Sequence, residues 1–176
     1  MLKGDRVALR AIEENDLPQL MEWRNEPIFR RYFRETAEIN MLQQRDWFKN
    51  VSERGSLNKM FAIVDVNSGE LYGACGLCYI DWINRSADFS IYIGYNDLYI
   101  DQILAGESAL LMKDYAFNVL NLHRLWAEIY SIDERKKEFF KSLDFTLDGT
   151  FRQTYWYNGK WHDSLFFSLL SSDEIH

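Results

Sequence analysis

The stretch MFAIVDVNSGELYGACGLCYIDWINRSADFSIYI, residues 60–93, decides the fold of this chain. Three runs in it are rich in β-branched and aromatic residues and are typical of strands: 60–66, 71–80 and 87–93. The turn formers Asn67-Ser68-Gly69 separate the first two runs, and Asn84-Arg85-Ser86 separate the last two. Connections this short join antiparallel neighbours, so the pattern predicts an antiparallel meander.

Upstream of the meander, the sequence predicts one strand and two helices. Residues 7–10 have the composition of a strand, and Asn15 or Asp16 can cap a helix that stops before Pro27. A second helix is indicated over 39–51, where apolar and polar residues alternate with helical spacing.

Downstream of the meander, the periodicity predicts a helix over 106–120, a strand over 124–130 and a helix over 134–143. Asn158-Gly159 then marks a closing hairpin of 145–156 and 160–170. The resulting order, βααβββαβαββ, predicts an α/β (α+β) fold with a mixed, mostly antiparallel central sheet flanked by helices. We expect one domain over residues 1–176.

The composition of the chain limits the classes of function that it can have. The chain has 176 residues, 47% apolar and 16% aromatic, which is enough to bury a core. Its net charge of −7 argues against a nucleic-acid partner. No apolar run is long enough to span a membrane, and the amino end lacks the apolar core of a secretion signal, so we expect a cytoplasmic protein without a membrane partner.

The two cysteines form a C-x-x-C pair, Cys75 and Cys78. A redox pair needs the first thiol at a helix N-terminus, and a metal site needs a second ligand pair. On a strand the two thiols point to opposite faces, so we interpret both as buried strand residues. None of the three histidines lies at motif spacing to a Ser or Cys, and we expect no metal site.

Three passages resemble the GNAT superfamily of N-acetyltransferases, in the branch of ribosomal-protein-alanine and amino-sugar acetyltransferases. They are LRAIEENDLPQLMEWRN (9–25), KDYAFNVLNLHRLWAEIY (113–130) and FFKSLDFTLDGTFRQTYWYNGKWHDSLFFSLL (139–170). The resemblance covers nearly the whole chain. It implies transfer of an acetyl group from acetyl-CoA, the co-substrate, to a primary amine.

The donor carries a diphosphate and an extended arm of amides, which need an anion site and a free strand edge. The resemblance places the arm along 91–93 and the diphosphate before the helix of 106–120, where backbone N–H groups attract anions. It implies that the following residues contact acetyl-CoA: Ile91, Tyr92, Ile93, Gln102, Ile103, Leu104, Ala105, Gly106, Glu107, Asp133, Lys136 and Phe140.

The diphosphate loop departs from the usual Q/R-x-x-G-x-G/A pattern. An ungapped alignment puts Ala105 at the last position but Ile103 and Ile100 at the glycine and Gln/Arg positions. Shifting by one residue uses Gly106 but leaves Asp101 and Leu104 in the other two places. Glycine permits close approach of backbone to phosphate, so these replacements predict a weakened donor site.

Catalysis needs a group that deprotonates the amine, and the resemblance implies a carboxylate on the strand of 87–93. Asp88 fits because it shares the polar face of that strand with Ser90 and Tyr92. The tyrosine that usually protonates the leaving thiolate is replaced by Phe140. Tyr130 and Ser131 are the substitute candidates.

The acceptor side is predicted from the amino-terminal helices, where arginines and aromatic residues interleave. The candidate residues are Trp23, Arg24, Asn25, Arg30, Tyr32 and Arg34. Guanidinium groups match phosphate, which favours a small phosphate-bearing acceptor such as a nucleotide-linked amino sugar. The alternative is that these arginines pair with Glu26, Glu35 and Glu38.

Three functions stay open at this point: a small-amine N-acetyltransferase, a protein N-terminal acetyltransferase, and a GNAT-fold module with weak or lost catalysis. The acceptor is not identified, and monomer and homodimer are both open.

Overall fold

An eight-stranded sheet forms the centre of the computed structural model, which describes residues 1–174. Its spatial order is β1-β2-β3-β4-β5-β6-β8-β7, and only β5 and β6 run parallel. The strands are β1 (Leu2–Lys3), β2 (Val7–Ala11), β3 (Lys59–Asp65), β4 (Leu71–Asp81), β5 (Ser86–Ile93), β6 (Arg124–Tyr130), β7 (Thr146–Tyr157) and β8 (Lys160–Leu170). The mixed, mostly antiparallel sheet predicted from the sequence is confirmed.

Within residues 1–174, five α-helices accompany the sheet: α1 (Leu17–Asn25), α2 (Pro27–Arg30), α3 (Met41–Ser52), α4 (Leu104–Asp114) and α5 (Glu134–Ser142). Asn40 caps α3 by accepting a hydrogen bond from the Gln43 backbone N–H, and the Gln43 side chain accepts from the Asn40 N–H in return. Asp133 caps α5 through the Lys136 N–H. Each local signal fixes where its helix begins.

The observed elements differ from the sequence prediction in several places. The short β1 and the single turn of α2 were not predicted, and α4 starts at Leu104 rather than at 106. The α4 helix then widens into a π-helical turn, Tyr115–Val119, where the prediction continued an α-helix. Elements this short are held by neighbouring contacts, which periodicity does not report.

The parallel pair β5–β6 positions the site. Ser86, Ala87 and Asp88 pair with Arg124, Leu125 and Trp126, and the register ends there. Beyond Asp88, β5 continues against β4 while β6 continues against β8. The two strands therefore separate and leave a wedge-shaped opening in the middle of the sheet.

The cysteines lie on opposite faces of β4, as the strand period predicts. Cys75 is buried, whereas Cys78 is only half-buried and faces the opening, so the prediction that both are buried is wrong for Cys78. Within residues 1–174, no group of three or more His, Cys, Asp or Glu side chains could hold a metal ion. No described helix has both the length and the apolar run needed to cross a bilayer.

Candidate active site

A cavity of about 500 Å³ lies over the opening between β5 and β6. The amino-terminal region contributes Arg24, Tyr32, Phe33, Arg34 and Glu35 to its wall, and α3 contributes Trp47. The sheet and α5 contribute Asp88, Ser90, Glu128, Lys136 and Phe140. Charged groups of both signs and aromatic rings thus converge on the point where the parallel pair ends.

Asp88 is the carboxylate at this point, on the last residue of β5 that pairs with β6. Burial raises the pKa of Asp88 to about 6, and the negative charge of Glu128 adds to the rise. The cations of Arg34 and Lys136 act in the opposite direction and limit the increase. A carboxylate with such a pKa is ionised at neutral pH and is basic enough to accept a proton.

The other carboxylates of the cavity are held by arginines. The Arg34 guanidinium donates to Glu128 over 2.7 Å, and the Ser164 hydroxyl donates to the second oxygen of Glu128 over 2.7 Å. Arg24 donates to Glu35 over 2.5 Å. The cavity therefore presents fixed ion pairs beside one carboxylate, Asp88, whose charge is balanced only at longer range.

Three of the six predicted acceptor residues, Arg24, Tyr32 and Arg34, line the cavity. Asn25 instead donates to the Ile39 carbonyl and accepts from the Ile39 N–H, which ties α1 to the segment before α3. Trp23 packs against Gly94, where a Cβ would overlap the indole ring. Arg30 pairs with Glu38 at 3.6 Å, outside the cavity.

Two interpretations of the arginines were open, phosphate binding and pairing with glutamates, and the ion pairs decide between them. Arg24, Arg30 and Arg34 each pair with a glutamate. Pairing with Glu35 and Glu38 is what the alternative expected, and Glu128 is a partner that it did not foresee. A phosphate-bearing acceptor is not supported, because the guanidinium groups already have carboxylate partners.

The predicted hydroxyls for the leaving group lie beyond the cavity wall. The Tyr130 ring stacks on Tyr155 with centroids 3.8 Å apart, and the Ser131 hydroxyl accepts from the Asp163 N–H. Phe140, at the position of the usual tyrosine, is 1% exposed and packs among Phe89, Phe145 and Phe167. The role of Tyr130 and Ser131 in protonation stays a prediction.

The chain itself covers the donor side of the opening, which is the free edge of β5 and the start of α4 that are predicted to bind acetyl-CoA. Ile93 faces Gly73 of β4 without bonding to it, so the N–H and C=O of Ile93 point to the free edge of β5. There they bond to the C=O and N–H of Tyr99, both over 2.8 Å. Tyr99 occupies the edge next to the predicted arm contacts Ile91, Tyr92 and Ile93.

The start of α4 is covered as well. The Asp101 carboxylate accepts from the backbone N–H groups of Ile103, Leu104 and Ala105, over 3.1, 2.9 and 2.8 Å. These are donors that a helix start offers to an anion. The remaining predicted contacts lie around them: Ile103 is half-exposed, Ala105 and Gly106 are buried, and Gln102 accepts from Ser142.

Glu107 points elsewhere. Its carboxylate accepts from the Arg6 N–H over 3.0 Å and so ties α4 to the turn before β2. The negative charge beside the predicted anion site therefore comes from Asp101.

Asp133 and Lys136, at the start of α5, face Tyr99. The Tyr99 hydroxyl donates to Asp133 over 2.5 Å, and the Lys136 ammonium lies 5.3 Å from the Tyr99 ring centroid. Burial lowers the pKa of Lys136, while the charges of Asp133 and Asp88 oppose that shift. Asp133 and Lys136, both predicted to contact acetyl-CoA, thus contact Tyr99 of the chain itself.

The fit to acetyl-CoA differs between its two ends. The opening beside Asp88 has room and a basic carboxylate for a thioester and an amine. The start of α4 does not fit a diphosphate as the structure stands, because Asp101 holds its N–H groups and would repel an anion.

The sequence patterns did not identify several residues of the site. Glu128 follows the alternation of β6, which places it on the same sheet face as Asp88, so that pattern could have identified it. Tyr99 and Glu35 had no such signal, since their partners lie in other elements.

Comparison with known proteins places these features in a family. The family model described as "Acetyltransferase (GNAT) domain" matches residues 6–146. An uncharacterized N-acetyltransferase p20 of Bacillus licheniformis is 27% identical over 175 residues, 98% of this chain and 97% of the relative. The spermidine N(1)-acetyltransferase of Escherichia coli K12 is 26% identical over 165 residues, 94% and 86% of the two chains.

Solved structures show the same fold. A crystal structure of spermidine N-acetyltransferase from Vibrio cholerae in complex with CoA and spermine superposes with a TM-score of 0.84 at 22% identity, covering 97% and 98% of the two chains. A dodecameric structure of spermidine N-acetyltransferase from the same organism gives 0.79 at 22% identity, covering 97% and 96%. The relatives from Escherichia coli and Vibrio cholerae are named as spermidine acetyltransferases, and none of these names points specifically to the ribosomal-protein-alanine or amino-sugar branch suggested by the sequence.

Proposed function

Since the chain belongs to the GNAT acetyltransferase family, enzymes that use acetyl-CoA as co-substrate, we propose that it acetylates a primary amine of a small polyamine-like acceptor. The observation that carries the proposal is Asp88: a carboxylate with a pKa near 6, in a cavity that opens where β5 and β6 separate.

Asp88 has the role of general base. A protonated amine cannot attack a carbonyl carbon, so its nitrogen must first lose a proton. Asp88 accepts that proton, directly or through one water, and its raised pKa makes the carboxylate a stronger base than an ordinary aspartate. Acetyl-CoA supplies the acetyl group as a thioester.

The charges around Asp88 keep it ready for this role. Arg34 and Lys136 stabilise the ionised carboxylate, so Asp88 is deprotonated at neutral pH despite its burial. The Lys136 ammonium lies 6.0 Å from the centroid of Phe33, which holds it over the apolar wall of the cavity. The Tyr32 and Phe33 rings also line the cavity, with the guanidinium groups of Arg31 and Arg24 lying over them.

Polyamines are the acceptor class that the named relatives support, since two of the proteins compared above are spermidine acetyltransferases. Of the carboxylates that line the cavity, Glu35 and Glu128 are paired with Arg24 and Arg34, so Asp88 is the one that can face an ammonium group of the acceptor. Neither a nucleotide-linked amino sugar nor a protein N-terminus has support of this kind.

The test is amine-dependent release of CoA thiol across a panel of spermidine, spermine, putrescine, glucosamine and an alanine-ended peptide. We expect the polyamines to be acetylated and the peptide and amino sugar to give background rates. Mass spectrometry of the product should show one added acetyl group. Faster turnover of the amino sugar or the peptide would reject the polyamine class.

A GNAT-fold module with lost catalysis is the second candidate. It is favoured by Tyr99 and Asp101, which occupy the donor side of the opening. The same panel separates the two candidates, because a module releases no thiol with any amine.

A further inference from the structure

The contacts of residues 94–101, named here the strap, point to a function beyond connecting β5 to α4. The strap leaves β5 after Ile93, turns at Tyr95–Asp97 and returns to pair with Ile93 through Tyr99. It thus lies along the free edge of β5 and ends at the start of α4.

Tyr99 fixes the middle of the strap. It is 1% exposed, its ring stacks on Phe29 at 5.5 Å and Tyr32 at 4.8 Å, and its hydroxyl donates to Asp133. Asp133 also caps α5, so the strap is joined to the helix that supplies Lys136 and Phe140 to the cavity. A hydrogen bond from a buried hydroxyl to a carboxylate is among the stronger ones.

Asp101 fixes the end of the strap. Its carboxylate holds three backbone N–H groups of the α4 start. An incoming anion must displace this side chain or bind against its charge.

The strap backbone is also strained. Asn96, Asp97 and Tyr99 all have left-handed φ values, of 50°, 55° and 59°. Asn and Asp tolerate this conformation, but an aromatic residue adopts it rarely, so Tyr99 is the strained position of the strap. The side-chain contacts of Tyr99 offset this strain, so the closed strap depends on them.

We propose that the strap is an autoinhibitory element that occupies the donor's place and must leave the β5 edge and the α4 start before acetyl-CoA binds. The inference rests on the proposed function, because it assigns regulation to the same site. The affinity for CoA is then reduced by the fraction of molecules in which the strap is closed.

Tyr99→Phe tests the strap without changing charge. It removes the hydroxyl that donates to Asp133 but keeps the ring stack, so the closed state is weakened and CoA should bind about tenfold more tightly. Isothermal titration with CoA measures the change. Tyr72→Phe is the matched control: its hydroxyl also donates to an aspartate, Asp65, while its ring contact with Tyr95 of the strap is kept, so CoA affinity should be unchanged.

Hydrogen exchange of the unmodified protein gives an independent readout. The Tyr99 N–H donates to Ile93 in the closed state, so peptides that cover 94–101 should exchange faster after CoA is added. Tyr99→Phe should raise exchange in the same peptides without CoA. This measurement stands even if the variant folds poorly.

The outcomes separate the strap from the proposed function. If CoA binds both proteins equally and strap exchange stays unchanged, the strap proposal is overturned, while amine-dependent thiol release still supports the enzyme. If Tyr99→Phe binds CoA and the unmodified protein does so only weakly, the strap proposal is supported whether or not the latter turns over. If neither binds CoA at millimolar concentration, both proposals fail.

Discussion

The two sides of the opening between β5 and β6 are built from the same strands but are in different states. On the acceptor side, the cavity is open, and fixed ion pairs surround Asp88. On the donor side, Tyr99 and Asp101 bond to backbone groups of Ile93 and of the α4 start that are predicted to bind acetyl-CoA. A separated parallel pair therefore creates two potential sites, and local side chains decide which of them is available.

The acceptor side depends on the carboxylate of Asp88, and the largest effect that we expect is the loss of turnover in Asp88→Asn. An amide cannot accept the proton from the amine, and general-base help is worth about 10²- to 10⁴-fold in rate. We expect kcat to fall by that factor in steady-state assays with spermidine, while CoA affinity is kept.

The pH profile sharpens this prediction. The base must be ionised, so kcat/KM of the unmodified protein should fall about tenfold per pH unit below about 6 and level off above it. The limb near pH 6 should be missing in Asp88→Asn. Asp46→Asn, an exposed carboxylate on α3, is the control, and unchanged turnover in Asp88→Asn would remove Asp88 from the mechanism.

The same substitution should stabilise the fold. Burial raises the pKa of Asp88 from 3.8 to about 6, so the folded state holds the proton more tightly than the unfolded state and loses stability as pH rises through that interval. At pH 8, Asp88→Asn should raise the free energy of unfolding by about 2 to 3 kcal/mol.

Urea unfolding of both proteins between pH 4 and pH 8 measures this effect. The gain should shrink as pH falls towards 4, because the native aspartate then becomes protonated in the fold. A variant that is less stable at pH 8 would mean that the ionised Asp88 is favourably paired.

The comparison also shows what the sequence could reveal. The meander followed from Asn67-Ser68-Gly69 and Asn84-Arg85-Ser86, because turn residues act locally. The polar face that carries Asp88 followed from the strand period. Both signals lie within one or two elements, where spacing determines geometry.

What the sequence could not reveal depends on contacts between distant elements. Arg34 was predicted as a phosphate ligand, but it meets Glu128, 94 residues away. The departures in the diphosphate loop predicted a weak donor site, yet not that Tyr99 would bond to Ile93 or that Asp101 would cap α4. Helix starts are uncertain by a few residues, and placing this one at Gly106 put Asp101 too far away to cap it.

A smaller effect is expected on the acceptor side from Arg34→Gln. The substitution removes the guanidinium group that pairs with Glu128. The cavity becomes more negative, so a polycation should bind more tightly. We expect the KM for spermidine to fall about three- to fivefold at low salt, and less at high salt.

Arg34→Gln should also move the acid limb of the pH profile upwards, because the guanidinium lowers the pKa of Asp88. Arg30→Gln, which removes an arginine paired outside the cavity, is the control for both measurements. A higher KM for spermidine in Arg34→Gln would instead mean that Arg34 is needed to position Glu128 towards the acceptor.

The smallest effect is expected from Tyr130→Phe. The Tyr130 ring is stacked face to face on Tyr155 and does not line the cavity, so removing its hydroxyl should lower kcat less than threefold. Tyr155→Phe, the other half of the stack, provides the comparison, since its hydroxyl donates to the Arg31 carbonyl. A loss of a hundredfold or more in Tyr130→Phe alone would identify it as the acid that replaces the missing tyrosine at Phe140, and would require β6 to turn that ring towards the opening when the strap is displaced.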